Sequence, residues 1–592
     1  MAGGSSSLDG KLLVVALDFG TAYSGYAFSF RSDYRVDPLK IEINHWTGEG
    51  AQTMSPKAPS SVLLNPDKTF HSFGYKAEEE YASLVENDEH QDWYFFTKIK
   101  MRLLYKEKVS RSDKIEDECG KPVQGLTILS MLIRCLKDDL YRRLNMRGIL
   151  VRDQDILWVL TVPAIWSDAA KQFTREAAEQ AGIKADDMIF VYEPEAAALY
   201  CRLQKLQIIN DATDSPETDR KTTLTERKIL VFDMGGGTTD ISVMEIKSDK
   251  EIHIVEQASG GPFGGTAINE RFGNWMSEIF GEENMKTFKA NNRSDYMQLL
   301  RDFEQKKRPI DPNENKPLCL QIPPSLKKLA EKAWDCNLEE HFKSLDIFPD
   351  VQVKKRGKLF LSSSFLLENF VLPIAKNVLA EMQRILAKHG DISCVIAVGG
   401  IAQSAAMTTE IRKYAKNIPV YVPLDSSVSV LNGAVLYGHE NNVIKARVCR
   451  YSYGIQTMRP FIVGEDDESK KVRQEGDTWC KQCFRPLYNA GDMIKLGEVR
   501  TYDLEEYFKD DDRKEKRFKP IRCILFRSEK KNPKYVTEEG CFETGTIEIE
   551  PPKNGFPTHY ECNVELEFAG TEIIARLKDN DGIKTIRLDF LS

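Results

Sequence analysis

Two stretches of the chain share one order of apolar and polar positions. The first runs from Leu13 to Phe28 and the second from Ile229 to Val243. In each stretch an apolar run predicts a buried strand, an aspartate ends that run, and a glycine-containing turn precedes a second strand. The repetition of this strand–turn–strand pattern indicates two lobes of one internally duplicated fold.

Between and beyond these stretches, helical and strand patterns alternate. Leucine and isoleucine residues recur at helical spacing from Leu129 to Leu144, which predicts an amphipathic helix. Residues 156–162 form a buried-strand pattern. Pro194 suits the first turn of a helix that follows the short apolar run 190–192. This alternation predicts an α/β domain.

The pattern changes near residue 444. From Tyr451 onward, short alternating segments and turn residues predict strands, and no long helical pattern follows them before Ser592. We therefore expect two domains, an α/β domain over residues 1–445 and a β-rich domain over residues 446–592.

The composition is that of an ordinary soluble globular protein. The 592 residues are 41% hydrophobic and 29% charged, with a formal net charge of −8. This acidic balance does not favour a nucleic-acid-binding surface. No apolar run approaches the roughly 20 residues that cross a bilayer, and the apolar run 12–17 is too short for a signal peptide. We expect a cytoplasmic protein, with nuclear access left open, no membrane span and no nucleic-acid partner.

The second turn carries most of the candidate chemistry. Its glycines, Gly235 to Gly237, leave backbone N–H groups uncovered, and a concave run of such donors suits phosphate oxygens. Asp233 and Asp240 flank the turn and could hold Mg²⁺ through its waters. The pattern is neither the Walker loop nor the dinucleotide fingerprint. A plain hairpin is the alternative for this stretch alone. Because the first turn repeats the pattern, we expect a nucleotide polyphosphate between the two turns.

Three further segments carry candidate binding groups. Lys98 follows an aromatic cluster and could be aimed at a phosphate, although its stem could instead cover an apolar face. Glu304, Lys307 and Arg308 share one helical face, which is also typical of a solvated, salt-bridged surface. Residues 395–398 form a strand pattern that ends in a double glycine.

Five motifs, taken in this order, resemble one family. They are Asp18-Phe19-Gly20-Thr21-Ala22-Tyr23-Ser24, Thr161-Val162-Pro163-Ala164, Glu193-Pro194-Glu195-Ala196-Ala197-Ala198, Asp233-Met234-Gly235-Gly236-Gly237-Thr238-Thr239-Asp240 and Val398-Gly399-Gly400. With them the sequence resembles the 70-kilodalton heat-shock chaperones, and specifically their divergent heat shock 70 kDa protein 12A/12B-like subgroup. The two hairpins are similar to the phosphate hairpins of the wider actin, sugar-kinase and heat-shock ATPase superfamily.

The resemblance implies a fold and a function. Residues 1–445 would form an actin-like, two-lobed nucleotide-binding ATPase domain, a duplicated ribonuclease-H-like fold. Residues 446–592 would form a β-sandwich-like, peptide-binding-like domain without a helical lid. The implied activity is binding of ATP or ADP with Mg²⁺, slow hydrolysis of ATP and chaperone-like binding of polypeptide segments. Alternatives are a nucleotide-gated, weakly active scaffold or signalling adaptor, and a small-molecule kinase on the same fold. Expected partners are polypeptide clients or signalling proteins and a nucleotide-exchange partner.

The family's site residues carry over onto the matching positions. The implied catalytic residues are Lys98, with Lys100 as a second candidate, and Asp233, Thr238 and Asp240. The waters of Mg²⁺ would be held by Asp18 and Asp233. The implied nucleotide contacts are Asp18, Gly20, Thr21, Ala22, Tyr23, Gly235, Gly236, Gly237, Thr239, Gly264, Gly265, Glu304, Lys307, Arg308, Gly399, Gly400 and Ile401. The switch that couples hydrolysis to the peptide domain would comprise Pro163, Lys171 and Glu193.

Several positions depart from the family pattern. Ala22 stands where the chaperones usually have threonine, so one phosphate-side hydroxyl is lost. Ile401 opens a turn where the family has Ser-Thr-Arg, which removes a hydroxyl and a cation beside the implied adenine pocket. Lys171 replaces an arginine, and lysine cannot reproduce a planar bidentate contact. The linker segment 444–448 is basic where the family's linker is acidic.

Overall fold

The computed structural model of the chain describes residues 10–48, 54–104, 106, 109–204, 224–256, 258–307, 314, 316–354, 356–474, 476–508, 516–579, 582–586 and 588–591. These residues form two α/β lobes followed by a β-rich region. The fold class predicted from the sequence is therefore confirmed.

The first lobe is built around a sheet that contains the first predicted hairpin. Strands Leu13–Phe19 and Tyr23–Phe30 pair antiparallel, and strand Ile156–Val162 pairs parallel with the first of them. Every residue of Leu13–Phe19 and of Ile156–Val162 is buried, as expected for strands covered on both faces. The order across the sheet is Met188–Tyr192, Ile156–Val162, Leu13–Phe19, Tyr23–Phe30 and Glu42–Ile43, and Ala58–Pro59 also pairs with Tyr23–Phe30.

The second lobe repeats this arrangement. Strands Arg227–Met234 and Thr239–Ser248 form the second hairpin, and strand Ile392–Val398 pairs parallel with its first strand. The internal duplication predicted from the two hairpin patterns is thus present. The order across this sheet is Val420–Tyr421, Ile392–Val398, Arg227–Met234, Thr239–Ser248, Glu251–Ile254, Ile444–Val448 and Met493–Lys495, and Ser259–Gly261 also pairs with Thr239–Ser248.

Helices and small sheets complete the two lobes. The helix predicted from Leu129 to Leu144 is confirmed as Gly125–Met146. The other helices of the first lobe are Arg31–Val36, Tyr75–Glu86, Ile99–Leu104, Asp168–Gln180 and Glu193–Leu203. Those of the second lobe are Gly265–Phe280, Glu282–Asn291, Arg293–Lys306, Pro324–Trp334, Leu338–Ser344, Ser363–Leu366, Leu372–Lys388 and Ala405–Ala415, whereas helix Ser429–His439 packs on the sheet of the first lobe. The small sheets comprise Phe70–Phe73 with Val62–Leu64 and Tyr94–Phe96, Leu318–Gln321 with Lys358–Leu361 and Val351–Lys354, and Lys114–Glu116 with Pro122–Gln124.

Two helices that contact the sheet of the first lobe pack closely against each other. Helix Ser429–His439 lies against helix Glu193–Leu203. A Cβ atom at Gly433 would lie 1.6 Å from the carbonyl oxygen of Ala196, so only glycine permits this approach. The packing fixes the helix whose first residue is Glu193.

The β-rich region consists of two sheets around a shared apolar core. Leu525, Ile547 and Val564 are fully buried at its centre. One sheet has the order Lys471–Gln474, Asp477–Tyr488, Ser452–Pro460, Ile521–Ser528 and Cys541–Ile549, and the other has Val499–Tyr507, His559–Ala569, Glu572–Asp579 and Gly582–Ile586.

The β-rich region is joined to both lobes. Strand Ile444–Val448 pairs parallel with Glu251–Ile254 of the second lobe and antiparallel with Met493–Lys495. Leu591 is buried in the core of the first lobe. The domain boundary predicted between residues 445 and 446 falls inside the strand Ile444–Val448 and stays a prediction.

Candidate functional site

The turns of the two hairpins are each closed by a backbone hydrogen bond. The N–H of Gly20 donates to the carbonyl oxygen of Tyr23 at 3.0 Å, and the N–H of Gly235 donates to that of Thr238 at 2.9 Å. Each turn therefore has a fixed shape, set by the strands on either side of it.

The two turns touch each other. A Cβ atom at Gly237 would lie 2.2 Å from Thr21 Oγ1, and one at Gly236 would lie 2.7 Å from the Cβ atom of Ala22. Glycine at both positions is needed for this approach. The space between the two turns is therefore closed at these positions.

Four buried carboxyl groups lie around the turns. Asp18 and Asp233 are near the ends of their strands, Asp240 lies opposite Asp233 in the hairpin register, and Glu193 begins its helix. The Asp18 Oδ1 atom accepts a hydrogen bond from Thr161 Oγ1 at 3.1 Å. The site is therefore assembled from both lobes.

Two lysines offset part of this negative charge. Lys100 Nζ lies 2.7 Å from Glu193 Oε1 and faces the rings of Phe19 and Trp166 at 5.4 and 5.0 Å. Lys57 Nζ lies 2.5 Å from Asp18 Oδ2. Asp233 and Asp240 have no ion-pair partner among the described residues, so the two lysines face four buried carboxyl groups.

The predicted catalytic lysine lies elsewhere. The Lys98 side chain is 38% exposed and pairs at 3.1 Å with Glu270 on the first helix of the second lobe. The second candidate, Lys100, is the lysine that reaches the carboxyl cluster. The helix Ile99–Leu104 begins between the two residues, so their side chains leave in different directions.

Burial and the uneven charge balance shift the pKa values of these acids. Burial would raise the pKa of Asp18, but Lys57 and Lys100 outweigh it and hold that pKa below its ordinary value. Burial, reinforced by the charges of Glu193, Asp240 and Asp18, raises the pKa of Asp233 well above its ordinary value. Burial and the charge of Glu193 raise the pKa of Asp240 to about 7.

The carboxyl cluster fits a divalent cation bound through water. Asp240 Oδ2 is buried without a hydrogen-bond partner among the described residues, and its Oδ1 atom accepts from the N–H of Ile165 at 3.2 Å. Oxygen ligands of this kind suit Mg²⁺, which keeps several of its waters. Within the described ranges no three acidic, histidine or cysteine side chains are arranged to ligate a metal directly. Asp18 and Asp233 remain the residues that would hold the waters.

A third glycine turn packs on the second hairpin. The N–H of Gly265 donates to the carbonyl oxygen of Gly235 at 3.3 Å, and that of Gly264 donates to the carbonyl oxygen of Gly237 at 3.1 Å. The Thr239 hydroxyl donates to a carbonyl of the same glycine turn. Thr239 was predicted to contact nucleotide, and here it holds the two turns together. Thr238 is buried beside it.

The predicted nucleoside contacts converge at one end of this turn. Lys307 Nζ donates to the carbonyl oxygen of Gly265 at 2.8 Å and to Glu304 Oε2 at 2.5 Å. The Ile401 side chain lies 3.6 Å from the position of a Cβ atom at Gly265. The helical face predicted from these charges is therefore directed at the glycine turn. Arg308 lies outside the described residues.

The double glycine lies beside the second hairpin. Gly399 has a φ of +92°, and a Cβ atom there would lie 2.3 Å from the carbonyl oxygen of Met234. A Cβ atom at Gly400 would meet nothing within 4 Å, so open space adjoins this residue. These positions are compatible with the floor of a nucleoside pocket.

The residues of the predicted switch lie in two places. The segment that starts at Pro163 contributes the N–H bond to Asp240, and Glu193 pairs with Lys100, so both adjoin the carboxyl cluster. Lys171 instead lies at the joint with the β-rich region. It pairs with Asp168 at 2.8 Å and donates to the carbonyl oxygen of Thr571.

Sequence reasoning missed a buried ion pair at the same joint. Arg447 Nη2 lies 2.7 Å from Glu195 Oε2, and its other terminal nitrogen donates to the carbonyl oxygen of Gly570. Burial raises the pKa of Glu195 to about 7, against the opposing effect of Arg447. Arg447, which belongs to the basic linker segment that differs from the family's acidic linker, therefore has a specific acidic partner.

Sequence reasoning also missed Lys57. It stands in no motif, since only the fold brings the segment before Ala58–Pro59 next to the first hairpin. No local pattern could have identified it.

Comparison with known proteins gives one consistent result. The model of the Hsp70 protein family matches residues 49–348. Heat shock 70 kDa protein 12A of Mus musculus is 28% identical over 641 residues, which cover 98% of this chain and 92% of the relative. Heat shock 70 kDa protein 12B of Homo sapiens is 28% identical over 644 residues, with 98% and 91% coverage. In the described part of the chain, no helix has the length and apolar character of a membrane span.

Proposed function

This chain belongs to the Hsp70 protein family, within the divergent 12A/12B-like subgroup, and from this premise we propose that it binds ATP and ADP with Mg²⁺ and hydrolyses ATP slowly. The observation that carries the proposal is the buried cluster of four carboxyl groups and two lysines around two touching glycine turns. Phosphoryl transfer to water depends mainly on positioning and charge neutralisation, which such a cluster supplies.

The residues take distinct roles in this proposal. The N–H groups of Gly20 and Gly235 close their own turns, so the remaining N–H groups of the two turns would meet the phosphate oxygens. Asp18 and Asp233 would hold Mg²⁺ through its waters, and the bound ion would supply positive charge against the phosphates. Lys100 would stabilise the negative charge that develops on the transferred phosphoryl group.

Asp240 suits the handling of the attacking water. Its Oδ2 atom has no hydrogen-bond partner among the described residues, so it can accept one from a water. With a pKa of about 7 it can also take the proton that this water releases. The water oxygen would form the new bond to the γ-phosphorus as the bond to the β–γ bridging oxygen breaks and ADP leaves.

The β-rich region would bind extended polypeptide segments of clients or signalling proteins in the cytoplasm. One of its two sheets has the strands Lys471–Gln474 and Cys541–Ile549 at its edges, and edge strands can pair with an added strand. Exposed apolar side chains, among them Val463 and Phe542, lie on this region and could contact side chains of the segment. A nucleotide-exchange partner would act by separating the lobes.

A second candidate function is a nucleotide-gated scaffold with little turnover. It is favoured by the direct contact between the two turns and by the buried side chains of Lys171 and Arg447, which donate to carbonyl oxygens of Thr571 and Gly570 in the β-rich region. Such a protein would bind its partners without a cycle of hydrolysis.

ATP binding and single-turnover hydrolysis would test the proposal. We would measure both with Mg²⁺ on the wild type, Asp233→Asn and Lys100→Ala. Turnover that both variants lose supports an ATPase. Tight binding without turnover supports the scaffold. No binding of ATP or ADP by a folded wild type would refute both functions.

A further inference from the structure

The segment that carries Lys57 is held against the first hairpin by strand pairing and by a hydrogen bond. Ala58 pairs with Ser24, and the Ser60 hydroxyl donates to the carbonyl oxygen of Gly20 at 2.7 Å. A Cβ atom at Gly25 would lie 3.0 Å from Lys57 Cγ, so glycine at this position leaves room for the lysine stem.

The ammonium group of Lys57 pairs with the carboxylate of Asp18, one of the two residues that would hold the waters of Mg²⁺. Lys57 Nζ lies 2.5 Å from Asp18 Oδ2, and the two side chains are 17% and 7% exposed. The other lysine of the cluster, Lys100, is already paired with Glu193. Without the charge of Lys57, three of the four carboxyl groups would have no lysine partner in the cluster.

We propose that Lys57 is a built-in cation of the phosphate site, which supplies part of the positive charge that Mg²⁺ would otherwise supply. The inference rests on the proposed binding of nucleotide between the two turns. In the free protein the ammonium group neutralises Asp18. When nucleotide enters with its metal, the flexible lysine stem lets the same group turn from Asp18 to a phosphate oxygen. Nucleotide binding should therefore depend less on Mg²⁺ than the carboxyl cluster alone would require.

The test compares wild type with Lys57→Met, which keeps the length of the stem and removes the charge. Lys76→Met is the matched control, because Lys76 is exposed and pairs with Glu80 on a surface helix. The dissociation constant of ADP is measured by calorimetry in Mg²⁺ and in EDTA. A charge-assisted hydrogen bond corresponds to roughly a tenfold to hundredfold effect. We expect the dissociation constant in EDTA, divided by that in Mg²⁺, to rise by about this factor in Lys57→Met. The same ratio should stay unchanged in Lys76→Met.

A second measurement needs no nucleotide. Thermal unfolding is followed with and without Mg²⁺ alone. We expect Mg²⁺ to raise the melting temperature of Lys57→Met more than that of the wild type, because the ion replaces the missing charge. If Lys57→Met does not fold, Lys57→Gln replaces it in both measurements, since the amide can still donate to Asp18.

The outcomes separate the two proposals. Equal Mg²⁺ dependence of wild type and variant in both measurements overturns the role of Lys57, even if nucleotide binds well. If folded wild type binds no ADP in either buffer, the proposed function fails, and the melting experiment alone decides on the built-in cation. A wild-type shift with Mg²⁺ as large as that of the variant would then overturn it.

Discussion

Replacing Arg447 by methionine should weaken the joint between the lobes and the β-rich region. The guanidinium group lies between three parts of the chain, since it belongs to the linker strand, pairs with Glu195 of the first lobe and donates to Gly570 of the β-rich region. Its side chain is 9% exposed and that of Glu195 is 3% exposed. The variant therefore leaves a carboxyl group buried without its cation.

The size of the effect follows from this burial. Removing one partner of a buried ion pair costs about 3–5 kcal/mol. Because the pKa of Glu195 is about 7, the carboxyl group can take up a proton near neutral pH, so we expect a loss at the lower end, about 3 kcal/mol. The double variant Arg447→Met with Glu195→Gln leaves no unpaired buried charge at this pair. We therefore expect it to recover about 1–3 kcal/mol of the unfolding free energy lost in Arg447→Met.

Denaturant unfolding, combined with hydrogen exchange at the strand Ile444–Val448, would measure this loss. The exchange data report on the joint itself, which matters in a protein of several domains. The control is Lys76→Met, whose exposed pair with Glu80 should contribute less than about 1 kcal/mol. The reasoning is refuted if Arg447→Met exchanges no faster than this control, or if the double variant loses the sum of the two single losses.

Three further predictions concern the cleft, the joint and the helix packing. Lys100→Ala should slow single-turnover hydrolysis by about tenfold to a hundredfold, whereas Lys98→Ala should change its rate by less than about threefold. The reverse order would favour Lys98 as the catalytic lysine. Burial raises the pKa of Glu195 from 4.5 to about 7, so its contribution to stability is present below about pH 4.5 and is lost as the pH rises to 7. Glu195→Gln should therefore flatten the fall in melting temperature between about pH 4.5 and 7. An unchanged slope would contradict the assignment. Gly433→Ala should lower the free energy of unfolding, measured with denaturant, by at least about 1–3 kcal/mol, because its Cβ atom would clash with the neighbouring helix. The control is Gly273→Ala, whose Cβ atom would meet nothing within 4 Å and which should not lower this free energy. Equal effects of the two variants would refute the packing argument.

Local patterns predicted the elements of the cleft. An apolar run closed by aspartate and glycine is a signal within one stretch of sequence, and both hairpins and the duplicated lobes follow from such signals. The two-lobed, actin-like fold and the β-rich region that follows it are confirmed by the family match and by the sheet order.

Contacts between distant segments could not be predicted in this way. Arg447 and Glu195 are 252 residues apart, and Lys57 and Asp18 are 39 apart. The positions of Lys98 and Lys100 could not be told apart from the sequence, because they depend on where a helix begins, and the catalytic role of either lysine stays a prediction. Lys98 lies at a φ of +52° just before that helix and pairs with Glu270, whereas Lys100 lies within the helix and pairs with Glu193.

The sheet that runs through the strand Ile444–Val448 has a consequence for motion in solution. A flexible tether would let two domains tumble independently, and each would then relax as a smaller particle. Here the backbone hydrogen bonds continue from the second lobe through this strand to Met493–Lys495. The lobes and the β-rich region should therefore rotate as one body, with one correlation time shared by their amides.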